Sequence, residues 1–144
     1  MKVYIDTNIV VAKTVATHEH HPNADQFLRQ VQSRRWTPVI SAHGLAEVYS
    51  VLTRAPYQPR MSPAQVWHML QGSVLSWFEV ETLNRKEYID LIKECAAQGW
   101  AGGRIYDAIH IHLARKTQCS RMYTFNVPHF RQMAPDLADR IMAP

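Results

Sequence analysis

VYIDTNIVV, residues 3–11, is the stretch that decides how this chain begins to fold. Its first three residues are apolar with a β-branched bias, which predicts a buried strand. The apolar side chains continue over residues 9–16, where they predict a helix. Asp6 lies between the two segments and is the only formally charged residue in positions 3–12. Burying a carboxylate costs several kcal/mol unless something compensates its charge, so a carboxylate within a core-forming stretch needs an explanation.

Two more acidic residues are isolated among apolar neighbours. Glu47 is the only formally charged residue in positions 36–53, and Asp107 is the only one in positions 105–114. Because the three carboxylates come from three separate segments, we expect them to compensate one another by sharing a cation. A cluster of carboxylates around a hard metal ion is a site for phosphate chemistry.

Each carboxylate also has a structural explanation when it is taken alone. Asp6 could cap the helix that follows it through an Asx-type turn. Glu47 could be a solvated residue at the edge of an apolar helix face. Asp107 could be a first-turn acid that the helix dipole favours. All three explanations would have to hold at once to remove the shared site.

The length and composition are those of one globular domain spanning residues 1–144. Apolar residues make up 47% of the chain and charged residues 19%, which is ordinary for a folded domain. The formal net charge is +4 and the pI is about 9.3. This basic balance favours a polyanionic partner such as a nucleic acid.

Cysteine usage and apolar runs indicate the cellular compartment. Cys95 and Cys119 have no ligand-like spacing, and we expect them to be reduced thiols. No signal pattern precedes the first strand, and no stretch approaches the ~18 apolar residues of a membrane helix. We therefore expect a soluble, cytoplasmic protein with no membrane segment.

Strand-like and helix-like segments alternate along the chain. Strands are predicted at residues 3–5, 37–40, 78–82 and 121–124. Helices are predicted at 9–16, 22–35, 84–97 and 104–116, and two more begin after the caps Ser41 and Ser62. A loop is predicted at 55–63, and a short helix and a tail follow residue 124. The alternation predicts an α/β fold with an open parallel sheet of four to five strands, flanked by helices on both faces.

The carboxyl ends of the strands are where a ligand crevice is expected in such a sheet. Asp6 directly follows the first strand, Asn126 comes just after the fourth, and Glu47 lies in the helix after the second. Asp107 lies in the first turn of a helix that precedes the fourth strand. It reaches the crevice only if the glycine pair at 102–103 directs that helix there, which topology alone does not decide.

Four ordered motifs resemble those of the PIN-domain ribonucleases, in particular the VapC-type toxins of bacterial toxin–antitoxin pairs. They are DTN at 6–8, the lone glutamate in SAHGLAEV at 41–48, YDA at 106–108, and TFN at 124–126 with Phe130 behind it. The order and spacing of the motifs fit the family, and the resemblance covers nearly the whole chain. It implies an α/β domain of PIN type.

The resemblance implies a Mg²⁺-dependent endoribonuclease, in which Mn²⁺ can substitute. Asp6 and Asp107 would bind the metal. Glu47 would complete the metal site, either as a ligand through water or as the base that orients the attacking water. Hydrolysis would leave a 5′-phosphate and a 3′-hydroxyl. No paired catalytic histidines are evident, so attack by the RNA 2′-hydroxyl is not implied.

Further residues are assigned supporting roles. Thr7, Asn8 and Thr124 would support the site through hydrogen bonds, in part to water around the metal. Arg104, three residues before Asp107, is the basic residue best placed to touch a substrate phosphate. The family also implies a small antitoxin as partner and a homodimer.

Asn126 departs from the family pattern, which has an acidic residue at this position. An amide can still hold a water molecule by hydrogen bonds, but it supplies no charge. A tight second metal site is therefore doubtful.

Three alternatives remain at this level. A non-catalytic PIN-like module would bind RNA or a partner at the same site. A phosphohydrolase would use Asp6 as a nucleophile, but no second Asp lies two residues further on. A transition-metal site could involve the loop histidines at 18–21, whereas His110 and His112 are spaced to face different ways on their helix.

Overall fold

In the computed structural model, which describes residues 1–54, 56 and 60–144, five parallel strands form one sheet. In chain order they are β1 (Lys2–Ile5), β2 (Thr37–Ser41), β3 (Glu79–Glu81), β4 (Arg121–Tyr123) and β5 (Ile141–Met142). Their order across the sheet is β3-β2-β1-β4-β5. The predicted parallel α/β sheet is confirmed, with the strand that precedes Asp6 at its centre.

The helices also agree with the sequence prediction, within two residues at most ends. They are α1 (Thr7–Thr14), α2 (His21–Ser33), α3 (Ala42–Arg54), α4 (Pro63–Ser73), α5 (Arg85–Gln98), α6 (Arg104–Lys116) and α7 (Val127–Met133), with a 3₁₀ helix at Pro135–Arg140. Among the described residues, none of these helices has both the length and the apolar character needed to cross a membrane. Part of the loop predicted at 55–63 lies outside the described residues.

The C-terminal prediction was incomplete. The segment after residue 124 contains not only the short helix α7 but also β5, which pairs with β4 at the edge of the sheet. A two-residue strand has no hydrophobic periodicity of its own, so pairing with a neighbour, and not its sequence, defines it.

Side chains of β1 alternate between two cores. Val3 and Ile5 pack in the core beneath α1, α2, α3 and α4, whereas Tyr4 packs in the core beneath α5, α6 and α7. Alternate residues of a strand point to opposite faces of the sheet. Both faces of β1 are therefore covered by helices, which explains why its sequence is a continuous apolar run.

Local capping signals in the sequence are confirmed. Ser41 accepts a hydrogen bond from the Gly44 backbone N–H at 2.7 Å and so caps α3. Asn84 and Glu87 form the predicted capping box at the start of α5. Helix α5 is followed by Gly99 at φ 71°, a left-handed conformation that glycine adopts at low cost.

Gly44 permits a close approach between α3 and α1. A Cβ atom at this position would lie 2.9 Å from Ser41 Oγ and 3.0 Å from Thr7 Oγ1. The missing side chain thus lets the first turn of α3 lie against the start of α1. This contact brings Glu47, on the next turn of α3, towards the carboxyl end of β1.

Candidate active site

Predicted site residues from four segments meet in one cavity. Asp6, Glu47, Asp107 and Asn126 line a cavity of about 350 Å³ at the carboxyl edge of the sheet, with Thr7 and Asn8 also in its lining. Asp6 is anchored there because its backbone N–H donates to Tyr123 O at 3.0 Å, which extends the pairing of β1 with β4. Because Asp107 lines the same cavity as Asp6, it does reach the crevice at the carboxyl ends of the strands, which the topology predicted from the sequence had left open.

Asp6 is held by a hydroxyl at the end of β4. The Thr124 hydroxyl donates to Asp6 Oδ2 at 2.6 Å, and it accepts from Asn8 Nδ2 at 3.2 Å and from the Asn126 backbone N–H at 3.0 Å. Thr124 is fully buried. Its hydroxyl orients Asp6, and its assigned role towards water around a metal stays a prediction.

The electrostatic environment of Asp6 is unfavourable for its charge. Burial raises the pKa of Asp6, and the nearby carboxylates of Glu47 and Asp107 raise it further. The charge of His110 and the Thr124 hydrogen bond lower the pKa and offset part of this effect. A carboxylate in this state gains from any cation that enters the cavity.

Glu47 is held by a buried histidine on α6. His110 Nε2 lies 2.8 Å from Glu47 Oε1, and His110 Nδ1 lies 2.8 Å from the Tyr4 hydroxyl. Burial would raise the pKa of Glu47, but the His110 hydrogen bond and charge outweigh burial and the pKa is lowered. Glu47 therefore remains ionised, and one of its oxygens is already engaged.

Asp107 has a histidine partner as well. His129 Nε2, on α7, lies 2.9 Å from Asp107 Oδ2. His43 Nε2 lies 3.4 Å from Glu47 Oε1, one helical turn before it on α3. His18, from the loop before α2, lines the cavity itself.

None of the histidines at 43, 110 and 129 was assigned to the acidic site from the sequence. A sequence signal was present, since each histidine lies one helical turn from a predicted site residue. The pairs are His43 with Glu47, Asp107 with His110, and Asn126 with His129. Residues three or four apart share a helix face, so this spacing could have identified all three.

The donor atoms of the cavity fit a hard divalent cation. Three carboxylates and the side chain of Asn126 face one space, and oxygen ligands of this kind suit Mg²⁺ or Mn²⁺. Within the described residues, no three acidic, histidine or cysteine side chains are already grouped around a metal position. Thr124, His110 and His129 each contact one oxygen of these carboxylates, and the second oxygen of each makes no hydrogen bond among the described residues.

Arg104 is not brought into this cavity. It is the first residue of α6, is exposed, and is absent from the cavity lining. Its assignment to a substrate phosphate stays a prediction. The predicted thiols Cys95 and Cys119 are free and buried, away from the site.

A parallel sheet with three carboxylates in a cavity at its carboxyl edge is compatible with metal-assisted phosphate chemistry, and comparison of the sequence with known families identifies the class. The family model for the PIN domain matches residues 3–134, and the chain belongs to this family. PIN ribonucleases generally depend on divalent metal ions.

The relatives support the VapC-type assignment within this family. Ribonuclease VapC40 of Mycobacterium tuberculosis is 34% identical over 104 residues, which is 72% of this chain and 72% of that protein. The prediction of a PIN-domain nuclease of VapC type is thereby confirmed.

Two solved structures share the fold. One is Mycobacterium tuberculosis VapC20, described as a toxin that cleaves the Sarcin-Ricin loop, with a TM-score of 0.69, 17% identity, and coverage of 91% of this chain and 94% of that one. The other is VapBC2 of Rickettsia felis, bound to a DNA fragment from its promoter, with a TM-score of 0.63, 20% identity, and coverage of 100% and 98%.

Proposed function

We propose that this chain is a Mg²⁺-dependent endoribonuclease, also active with Mn²⁺, and the toxin of a toxin–antitoxin pair. The observation that carries the proposal is the convergence of Asp6, Glu47 and Asp107 with Asn126 on a single cavity. The 34% identity to a ribonuclease supports RNA as the substrate, and the net charge of +4 is favourable for a polyanion.

Asp6, Asp107 and Glu47 would hold the metal, with Asn126 and Thr7 at its periphery. When bound there, a divalent ion polarises the scissile phosphate and makes coordinated water more acidic. The lowered pKa of Glu47 keeps this carboxylate ionised, so it accepts a hydrogen bond from the attacking water and orients it. His110 holds Glu47 in position from the protein interior.

The reaction is a hydrolysis in line with the leaving group. The water oxygen forms a bond to phosphorus while the bond from phosphorus to the 3′-oxygen breaks. The proton of the water passes to solvent by way of Glu47, and the 3′-oxygen takes a proton from solvent. The products carry a 5′-phosphate and a 3′-hydroxyl, and no covalent intermediate with the protein forms.

Purified protein incubated with total RNA, with and without Mg²⁺, tests the proposal. We expect metal-dependent cuts with 5′-phosphate ends, and none with the Asp107→Asn protein. Cuts with 5′-hydroxyl ends would indicate attack by the 2′-hydroxyl aided by the histidines. RNA binding without cleavage would favour a non-catalytic PIN-like module.

The toxin role is a separate part of the proposal. A small antitoxin would block the cavity, and a basic side chain of its tail would pair with the carboxylates in place of the metal. Expression of this chain alone should slow growth, and a small adjacent gene should relieve the effect. If expression of the active enzyme proves harmless to cells, the toxin role is wrong, but the nuclease proposal is unaffected. The homodimer and the cytoplasmic location stay predictions.

A further inference from the structure

A second cavity, of about 300 Å³, adjoins the acidic one. The two cavities share Glu47 and Val51 in their linings. Helix α3 supplies most of the wall, and Tyr106 closes it from α6. A ligand that crosses the carboxylates therefore continues directly into this second space.

A stacked pair of rings forms one wall of the second cavity. The His43 and Tyr106 rings are 4.7 Å apart between centroids and inclined by only 19°. Tyr106 is 49% exposed although His43 stacks on its ring, so much of the side chain remains accessible to a ligand. An open aromatic face supported from behind by another ring is a stacking platform for an unpaired nucleobase.

The second cavity also has a cationic group and little opposing charge. Arg54, the last residue of α3, is exposed and lies in the cavity lining. In that described lining, Glu47 is the only carboxylate, and it lies where the two cavities meet. A guanidinium beside a stacking platform is suited to a phosphate that is joined to a stacked base.

We propose that the second cavity binds the nucleobase next to the scissile phosphate, stacked on Tyr106, while Arg54 contacts the adjoining phosphate. This inference rests on the proposed nuclease function and specifies which part of the enzyme holds the nucleotide next to the cut. The site is built for single-stranded RNA, because a base paired within a duplex cannot expose its face to the ring.

Steady-state kinetics on an RNA oligonucleotide with one mapped cut site test the assignment. We expect Tyr106→Ala to raise KM about tenfold or more with little change in kcat, the scale expected for loss of one stacked base. Tyr106→Phe keeps the ring and should recover most of the loss. Tyr49→Ala is the matched control. Tyr49 is 41% exposed and lies on α3, the helix that supplies most of the second cavity's wall, but it lines neither cavity.

Abasic substitutions on either side of the cut separate stacking from other effects of the mutation. One of the two abasic RNAs should bind the wild-type protein about as weakly as the unmodified RNA binds the Tyr106→Ala protein. The same abasic RNA should bind the Tyr106→Ala protein no more weakly than the unmodified RNA does. Equal losses in both proteins would overturn the assignment.

Binding without metal distinguishes failure of this inference from failure of the nuclease proposal. Fluorescence anisotropy of a labelled single-stranded RNA in EDTA needs no cleavage. Weaker binding by Tyr106→Ala supports the subsite even if no RNA is cut, and unchanged binding overturns it even if RNA is cut. If Tyr106→Ala leaves RNA binding intact and weakens only inhibition by the antitoxin, the cavity is a protein-binding site and the assignment is wrong.

Discussion

His110 Nε2 lies 2.8 Å from Glu47 Oε1, and this contact joins the buried interior of α6 to the acidic cavity. Burial opposes a charge on His110, but the Glu47 hydrogen bond and the charges of Asp6 and Asp107 outweigh it, and the pKa of His110 is raised. These groups favour the charged form of His110 beside the carboxylates.

The His110 charge should make the stability of the metal-free protein depend on pH. A raised histidine pKa contributes stability that is fully present below the pKa of unfolded histidine and is lost as the pH rises through the raised value. His110→Gln keeps a neutral donor to Glu47 but cannot become charged. In EDTA, we expect the melting temperature of His110→Gln to fall further below that of the wild type at about pH 6 than at about pH 9.

Exposed His68 provides the control for this comparison. His68→Gln should leave the melting temperature nearly unchanged at both pH values. An equal loss for His110→Gln at both values would mean that the hydrogen bond matters and the charge does not.

The three carboxylates should act as a unit in catalysis. Asp6→Asn, Glu47→Gln and Asp107→Asn should each lower RNA cleavage by about 100-fold or more, and double variants should lose little beyond the single ones. Cleavage of a defined RNA with Mg²⁺ gives the rates, and circular dichroism checks the fold. Glu94→Gln, an exposed carboxylate on α5, should cleave normally. If the purified Asp107→Asn protein cleaves at the wild-type rate, the assignment of Asp107 to the site is wrong.

Divalent metal should stabilise the folded protein. Because burial and neighbouring charges raise the pKa of Asp6, its ionised form destabilises the metal-free protein at neutral pH. Added Mn²⁺ or Mg²⁺ relieves the repulsion, and saturating metal should raise stability by about 1–3 kcal/mol. Asp6→Asn should melt at least as high as wild type in EDTA and gain less from the metal. A wild-type melting temperature that millimolar Mn²⁺ leaves unchanged would argue against a metal centre.

Asn126 should tune metal affinity through its lack of charge. Asn126→Asp adds a carboxylate to the cavity lining and should tighten Mn²⁺ binding, since a hard cation gains Coulomb energy from each carboxylate. Asn126→Ala should cost less activity than Asp6→Asn, because it removes a hydrogen bond worth about 1 kcal/mol. Calorimetric titration with Mn²⁺ ranks wild type and both variants. Equal affinity for Asn126→Asp and wild type would show that residue 126 does not face the metal.

Local structure was largely predictable from the sequence. The predicted bounds of α6 match the structure, and the caps at Ser41 and Asn84 form as expected. Such features depend on residues within a few positions of one another, so the pattern that encodes them is contiguous. The short strand β5 was missed because it depends on a distant partner.

The candidate site was only partly predictable. The isolated acids pointed to Asp6, Glu47 and Asp107, since an unexplained charge in an apolar stretch is visible without a structure. Their histidine partners at 43, 110 and 129 were missed. The three- or four-residue spacing places each histidine on the helix face of a site residue, but it does not show which carboxylate that histidine will contact.

The sequence by itself determined the alternating strands and helices, the family, and the acidic residues that could share a cation. Tertiary structure alone decided that Asp107 reaches the cavity, that Arg104 does not line it, and that His110 lies against Glu47. The physical reason is the separation along the chain over which each kind of interaction acts. Periodicity and capping reflect interactions over one or two helical turns, whereas Glu47 and His110 are separated by 63 positions and meet only when α3 and α6 pack at the same edge of the sheet.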